Sequence, residues 1–369
     1  MKIYILRSLL LLSSVMVVGC ADEYKDLSDH SDQTLTAKRA LGKKLFSETS
    51  LSNPGGQACI SCHAPETGFS DPLHRIVSPG VDASLFGSRN APSLAYNVFA
   101  PSRYYNNIDE TFVGGIFLDG RAPDLQAQVL GPLLNPVEMN NTSLEAVATK
   151  IRNLSYFEDF AKIYGAANTD TQLVHQLADA ITAFEKSPEV SSFTSKFDYV
   201  SRGMMAFTPD ELKGFNLYNG KANCAACHVL DEDPITGKVL FTDFTYDNIG
   251  VPKNPHNPFY NMPTAHNPQG AAYVDLGIGQ VVNAPQHNGK FKVPSLRNIA
   301  VSAPYFHNGV FNTLDEVIRF YNRRKVENLG QPETPANVNV DELGDLKLTE
   351  AEEQQLKKFL ETLTDHYRP

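Results

Sequence analysis

The chain has 369 residues, 42% of them hydrophobic and 20% charged, with 24 Gly and 23 Pro, so a disordered or collagen-like chain is excluded. Its net charge of −10 argues against a nucleic-acid partner. The length suits two domains or one large one. Lys2 and Arg7 flank the start of an apolar run, Ser8 to Val18, that is too short to span a bilayer. The first twenty residues therefore read as an export signal, and the polar stretch 21–35 as a tether. Helical periodicity follows over 36–46, 143–153, 171–186, 209–219, 314–324 and 350–363. Three starts carry capping boxes: Thr208 with Glu211 (and Pro209 at the first helical position), Thr313 with Glu316, and Thr349 with Glu352. Strand signals are few. Gly and Pro cluster between the helices, which predicts long structured loops.

Five cysteines narrow the chemistry. Cys20 belongs to the signal, and the other four sit in CISCH (59–63) and CAACH (224–228). C-x-x-C alone also suits disulfide, redox or zinc chemistry. The histidine directly after each pair turns the motif into the c-type haem attachment signature. Cys59, Cys62, Cys224 and Cys227 would then form thioethers to two haems, with His63 and His228 as proximal iron ligands. Gly42-Lys43-Lys44-Leu45-Phe46 precedes the first motif and Gly214-Phe215-Asn216-Leu217-Tyr218 the second, each at the end of a helical pattern. The expected fold is mainly α: two cytochrome c-like haem domains with long loops, 36–195 and 196–369, joined near 190–205. A shared need to bind haem would by itself produce the same repeat.

Val17-Val18-Gly19-Cys20 resembles the lipobox of bacterial lipoproteins, whose cysteine is lipidated and becomes the mature N-terminus. That implies a periplasmic protein with a lipid anchor on Cys20. Ala21, rather than Asp, next to the cysteine points to the outer membrane. An ordinary signal peptide with an incidental cysteine is the alternative. No later segment is apolar enough to span a membrane.

GKKLFSETSLS, CISCH, RNAPSLAYN, DGRAPDLQAQ, GPLLNPVEM, CAACH, GKFKVPSLRNIAVSAPYFHNG and TLDEVIRFYN together resemble the bacterial di-haem cytochrome c peroxidase and MauG family, over nearly all the mature length. The resemblance implies that the N-terminal haem reacts with hydrogen peroxide and the C-terminal haem exchanges electrons with a protein partner. Gln128, Pro132 and Glu138 match the family's distal pocket. Glu138 would take and redeliver the peroxide proton, Gln128 orient the peroxide, and Pro132 wall the pocket. Without the resemblance, Glu138 reads as a loop residue that caps or pairs.

Two departures bear on the branch. Conventional members block the resting peroxidatic iron with a histidine; here the corresponding position is Asp82, and His74 lies eight residues earlier. An open N-terminal haem is the simpler expectation, with His74 the alternative blocking ligand. Conventional members also place a Met eight residues after the Thr of the ligand helix; here that residue is Tyr321, as in the MauG branch. Leu314, Val317, Ile318 and Tyr321 follow helical spacing, so Tyr321 is inward-facing as a ligand or as plain core. Met204, Met205 and Met262 are alternative ligands. The resemblance further implies Ca²⁺ between the haems, held by Asn90, Ser302 and Pro304, and places Arg89, Asp119, Arg121, Arg297 and His307 at haem propionates or between the haems. Leu118 stands where the family has Trp, and the chain has no Trp and 15 Tyr, so hole transfer to the surface must use Tyr or direct tunnelling.

Three readings compete. The first is an exported MauG-like enzyme that uses hydrogen peroxide to oxidise a protein partner. The second is a conventional cytochrome c peroxidase fed by a small cytochrome c or cupredoxin. The third is a non-catalytic electron-transfer lipoprotein. Tyr321 and the missing distal histidine favour the first over the second, and the pair Gln128 and Glu138 argues against the third.

Overall fold

A computed structural model describes the backbone of residues 20–167 and 169–368, and side chains from residue 31 onward within those spans. The expected signal peptide and the side chain of Cys20 lie outside the described residues. The helices are α1 (Cys20–Phe46), α2 (Leu125–Leu134), α3 (Leu144–Arg152), α4 (Glu158–Tyr164), α5 (Asp170–Glu185), α6 (Lys196–Ser201), α7 (Pro209–Asn219), α8 (Ile278–Val282), α9 (Leu314–Arg323) and α10 (Glu350–Glu361). Among the described residues, strands are confined to three short antiparallel pairs: β1 (Tyr104–Asn106) with β2 (Thr111–Val113), β3 (Glu232–Asp233) with β4 (Lys238–Val239), and β5 (Tyr246–Asp247) with β6 (Phe291–Lys292).

The three capping boxes set the starts of α7, α9 and α10: Thr208, Thr313 and Thr349 each accept from the backbone N–H three residues on, and Glu211, Glu316 and Glu352 reach back. α1 begins at Cys20, not near residue 36, so the stretch expected as a tether is helical. No Gly or Pro interrupts it before Gly42. The sequence analysis has no counterpart for α4, α6 and α8, which are short, or for α2, which contains Gly131 and Pro132.

Two large hydrophobic cores and a small third cluster at Ile116, Ala122 and Leu125 form among the described residues. The first joins Leu41, Leu45 and Phe46 of α1 to Leu173, Leu177, Ile181 and Phe184 of α5, with Val147 and Ile151 of α3. The second joins Tyr218 of α7 to Leu356, Phe359 and Leu360 of α10, with Leu314 and Ile318 of α9. The two main helix pairs meet in the same way. A Cβ on Gly42 would lie 1.9 Å from Ala180 O, and one on Gly214 would lie 2.0 Å from Gln355 O. Only glycine permits either approach.

Buried polar ties brace the C-terminal half, and Asp365 joins it to Tyr96 and Thr194 of the N-terminal half. Arg297 is fully buried, donates to both Asp198 oxygens at 3.0 Å, and gives Nε–H to Val239 O at 2.8 Å. Tyr96 donates to Asp365 Oδ2 at 2.6 Å, and Asp365 also accepts from the Thr194 N–H and from Asn298. Leu240 and Phe244, from the C-terminal half, pack into the first core.

Candidate active site

Each C-x-x-C-H motif is wound into a short 3-10 turn, Cys59–Ser61 and Cys224–Ala226. Both turns close identically: His63 N–H donates to Cys59 O and His228 N–H to Cys224 O, each at 2.9 Å. The imidazoles are held through Nδ1, by Phe69 O and by Phe241 O, both at 3.0 Å. A carbonyl partner favours the proton on Nδ1 and leaves the Nε2 lone pair free to bind iron. The four thiols are unpaired. All six residues line one continuous cavity of about 940 Å³. Free thiols, oriented imidazoles and a common chamber fit two covalently attached haems.

The wall near the first motif is built by α2 and the chain that follows it. Asp124 caps α2, accepting from Ala127 N–H at 2.9 Å. Gln128 and Pro132 lie one turn apart on the same side of the helix. The chain then folds back. Met139 N–H donates to Pro132 O at 3.2 Å, and Asn141 Nδ2 donates to Leu133 O and Leu51 O at 2.8 Å. This return brings Glu138 onto the same cavity as Gln128 and Pro132. Burial pushes the Glu138 carboxyl up, against the pull of Arg121 and a hydrogen bond with Asn135. Glu138 acts on the Cys62 thiol, which places it at the first motif.

The histidines lining the cavity are His63, His228 and His307. His74 is exposed and bonds through Nδ1 to Ala303 O at 2.9 Å. Asp82 is exposed and accepts from Ser84. Neither lines the cavity.

Tyr321, on α9, does line it, packed beside Phe306 at 6.1 Å between ring centroids. Its hydroxyl takes no hydrogen bond among the described residues. Burial pushes its phenol up, and Cys224 and Cys227 add to the effect, which places it at the second motif. Met204, Met205 and Met262 do not line the cavity.

The region between the motifs is charged but internally paired. Arg89 binds Asp275 with Nε–Oδ2 at 2.6 Å and Asp119 with Nη1–Oδ2 at 2.7 Å. Burial would push Asp275 up, but the Arg89 guanidinium overrides it and holds the carboxyl at about 2. Arg121 bonds Asp119 at 2.9 Å and lies 3.5 Å over the Phe117 ring. His307 stacks on Phe291 at 3.8 Å, with Nε2 3.4 Å from Glu333. Leu118 lines the cavity, and its carbonyl accepts from Lys292 N–H at 2.8 Å. Asn90, Ser302 and Pro304 also line the cavity. Asn90 Nδ2 donates to the carbonyls of Arg75 and Ile76, both at 3.1 Å, and Ser302 donates to Ile299 O at 3.4 Å.

Among the cavity residues without a counterpart in the sequence analysis are Asp275, Glu333, Glu185 and Gln57. Glu185, 4% exposed, lines the cavity near Cys59; its Oε2 has no partner, and burial pushes its carboxyl up to about 8. The signal was present, because Leu177, Ile181, Phe184 and Glu185 share one helical face. Gln57 had no signal beyond its position two residues before Cys59.

The family model for di-haem cytochrome c peroxidase matches residues 36–206. Methylamine utilization protein MauG of Paracoccus denitrificans is 36% identical over 380 residues, covering 96% of this chain and 94% of that protein. The chain belongs to the di-haem cytochrome c peroxidase family. Cytochrome-c peroxidase IdrP1 of Denitromonas iodatirespirans is 30% identical, covering 90% of this chain and 83% of its own. The crystal structure of the diheme peroxidase BthA from Burkholderia thailandensis superposes with a TM-score of 0.78 at 32% identity, over 89% of this chain and 86% of that one. As a family member the chain is a mainly α, two-haem oxidoreductase acting on hydrogen peroxide. Among the described residues no helix is long and apolar enough to cross a membrane.

Proposed function

We propose that this peroxidase belongs to the MauG-like branch: exported, lipid-anchored on Cys20 in the periplasm at the outer membrane, and using hydrogen peroxide to oxidise a protein partner. The haem domains are 36–195 and 196–369. Cys59 and Cys62 would hold the first haem with His63 as its iron ligand, and Cys224 and Cys227 would hold the second with His228. When bound, the haems supply irons that exchange electrons with peroxide and with the partner.

The protein's own residues do the rest. Glu138 holds a proton at the peroxide and moves it from one oxygen to the other, which its enclosed carboxyl suits. Gln128 orients the peroxide through its amide, and Pro132 shapes the wall. Tyr321 would serve as the oxygen ligand of the second haem; an anionic oxygen donor favours the oxidised metal more than a thioether does. Asn90, Ser302 and Pro304 would hold Ca²⁺, since their oxygens are the hard donors that ion takes.

The observation that carries this reading is the pair of cavity walls. Tyr321 stands at the second motif with an unbonded hydroxyl, while His74 is turned to Ala303 and leaves the first without a second histidine. The test is stopped-flow visible and near-infrared spectroscopy of the fully oxidised protein mixed with stoichiometric peroxide. Fast spectral change without prior reduction is expected. No reaction until one haem is reduced would overturn the open site and favour a conventional peroxidase fed by a small cytochrome c or cupredoxin.

A further inference from the structure

We propose that hydrogen peroxide enters the N-terminal chamber through a small surface pocket whose inner door is the side chain of Gln57. The proposal rests on the reading of that chamber as the peroxide site. The pocket, of about 250 Å³, has an exposed outer rim at Pro54, Gly55 and Gly56. Gln57 and Pro79 line both this pocket and the large cavity. The small pocket and the chamber therefore meet at these two residues.

That side chain has the chemistry of a door for a small hydroxylic molecule. Gln57 is 8% exposed, and its Nε2 donates to Pro79 O at 2.9 Å. Its Oε1 is buried with no partner among the described residues. A buried amide oxygen without a donor is unfavourable and accepts readily from an O–H group. Hydrogen peroxide and water each offer two O–H donors and carry no charge to desolvate. Swinging the amide aside breaks a single strong hydrogen bond, since its contact with Cys62 Sγ is 3.9 Å.

The rest of the passage is rigid. Asp71 clamps one rim, accepting from Arg75 Nε at 2.9 Å and Ser78 Oγ at 2.5 Å. On the other rim, Val81 N–H donates to Glu138 O at 2.8 Å, and a Cβ on Gly80 would lie 2.5 Å from Val137 O. A molecule that passes Gln57 enters the chamber that Glu138, the residue assigned to proton transfer, also lines. The pocket has a tied frame and, between it and the chamber, the polar side chain of Gln57.

The test uses cyanide binding to the oxidised holoprotein, followed by stopped-flow spectroscopy, in the wild type, Gln57→Ala and Val81→Phe. A port changes the barrier and leaves the end state alone. Gln57→Ala is expected to raise both the association and dissociation rate constants about tenfold, and Val81→Phe to lower both about tenfold. The dissociation constant should stay within about twofold, well under the 1.4 kcal/mol of a tenfold change. The second-order rate with peroxide should move in the same directions. Rate constants unchanged in both variants would overturn the port. A changed dissociation constant with an unchanged association rate would overturn it too, and place Gln57 in the binding site. Wild-type protein that takes up no cyanide would overturn the open-site reading itself, and the port with it.

Discussion

The two haem-binding halves share a scaffold and differ in the wall that faces each motif. In both, a glycine lets one helix press onto a carbonyl of another, Gly42 on Ala180 and Gly214 on Gln355. In both, a 3-10 turn carries the cysteines and a backbone carbonyl holds the histidine Nδ1. The facing walls are unlike: an amide, a proline and an enclosed carboxyl at the first, and a phenol at the second. Even the matching helix residues diverge, since Tyr218 donates to His228 O where the first half has Phe46, which carries no hydroxyl. Attachment chemistry is a property of the repeat; reactivity comes from the side chains brought to it by non-repeated segments.

Breaking the first wall gives the largest expected effect. Glu138→Gln keeps the size and removes the proton exchange, so the peroxide reaction should slow by about 10²- to 10⁴-fold, with the second haem's spectrum unchanged. Stopped-flow mixing with peroxide measures it. An unchanged rate would remove Glu138 from the chemistry and weaken the contrast between the halves.

Breaking the shared scaffold comes next. Gly42→Val and Gly214→Val each force a side chain into a helix backbone, and overpacking of this kind costs about 1–3 kcal/mol or more. Denaturant unfolding should show similar losses for both, because the clash distances are 1.9 and 2.0 Å. A large loss in only one would show that the two helix pairs are not equivalent supports.

The region between the motifs has an acid limb. Asp275 has its carboxyl held down at about 2 by Arg89, from an ordinary 3.8. A depressed pKa gives stability that is complete above the ordinary value and lost as pH falls through the depressed one. Between about pH 4 and pH 2 the native state should lose roughly 2 kcal/mol through this group. Thermal unfolding across that range should show a shallower decline in Asp275→Asn than in the wild type.

The smallest effect on the peroxide step is expected at the second wall. Tyr321→Phe should alter the absorption and EPR signature of the oxidised C-terminal haem and leave the first peroxide reaction within about twofold, far below the tenfold that 1.36 kcal/mol produces. An unchanged spectrum would make Tyr321 a core residue of α9 and nothing more.

The motifs, the helix starts and the inward stripe of α9 were legible in the sequence because each is a local pattern. Thr208, Pro209 and Glu211 announce α7 within four residues, and α7 spans the expected 209–219. Helix α2 was less legible: Gly131 and Pro132 lie inside it and read as a loop, although Asp124 is a proper cap. The forward reach of α1 to Cys20 was also missed, because polar composition says tether while the absence of any breaker permits helix.

The sequence by itself determined that the chain carries two C-x-x-C-H attachment motifs and where they stand, since such a motif is only a pentapeptide. The tertiary structure alone decided that both motifs open onto one cavity. It also decided that the charges between them are mutually paired, that His74 faces Ala303, and that Gln57 lines both the chamber and the small surface pocket. Those facts depend on residues far apart in the chain, such as Arg89 with Asp275, and no local pattern records a distance across the fold.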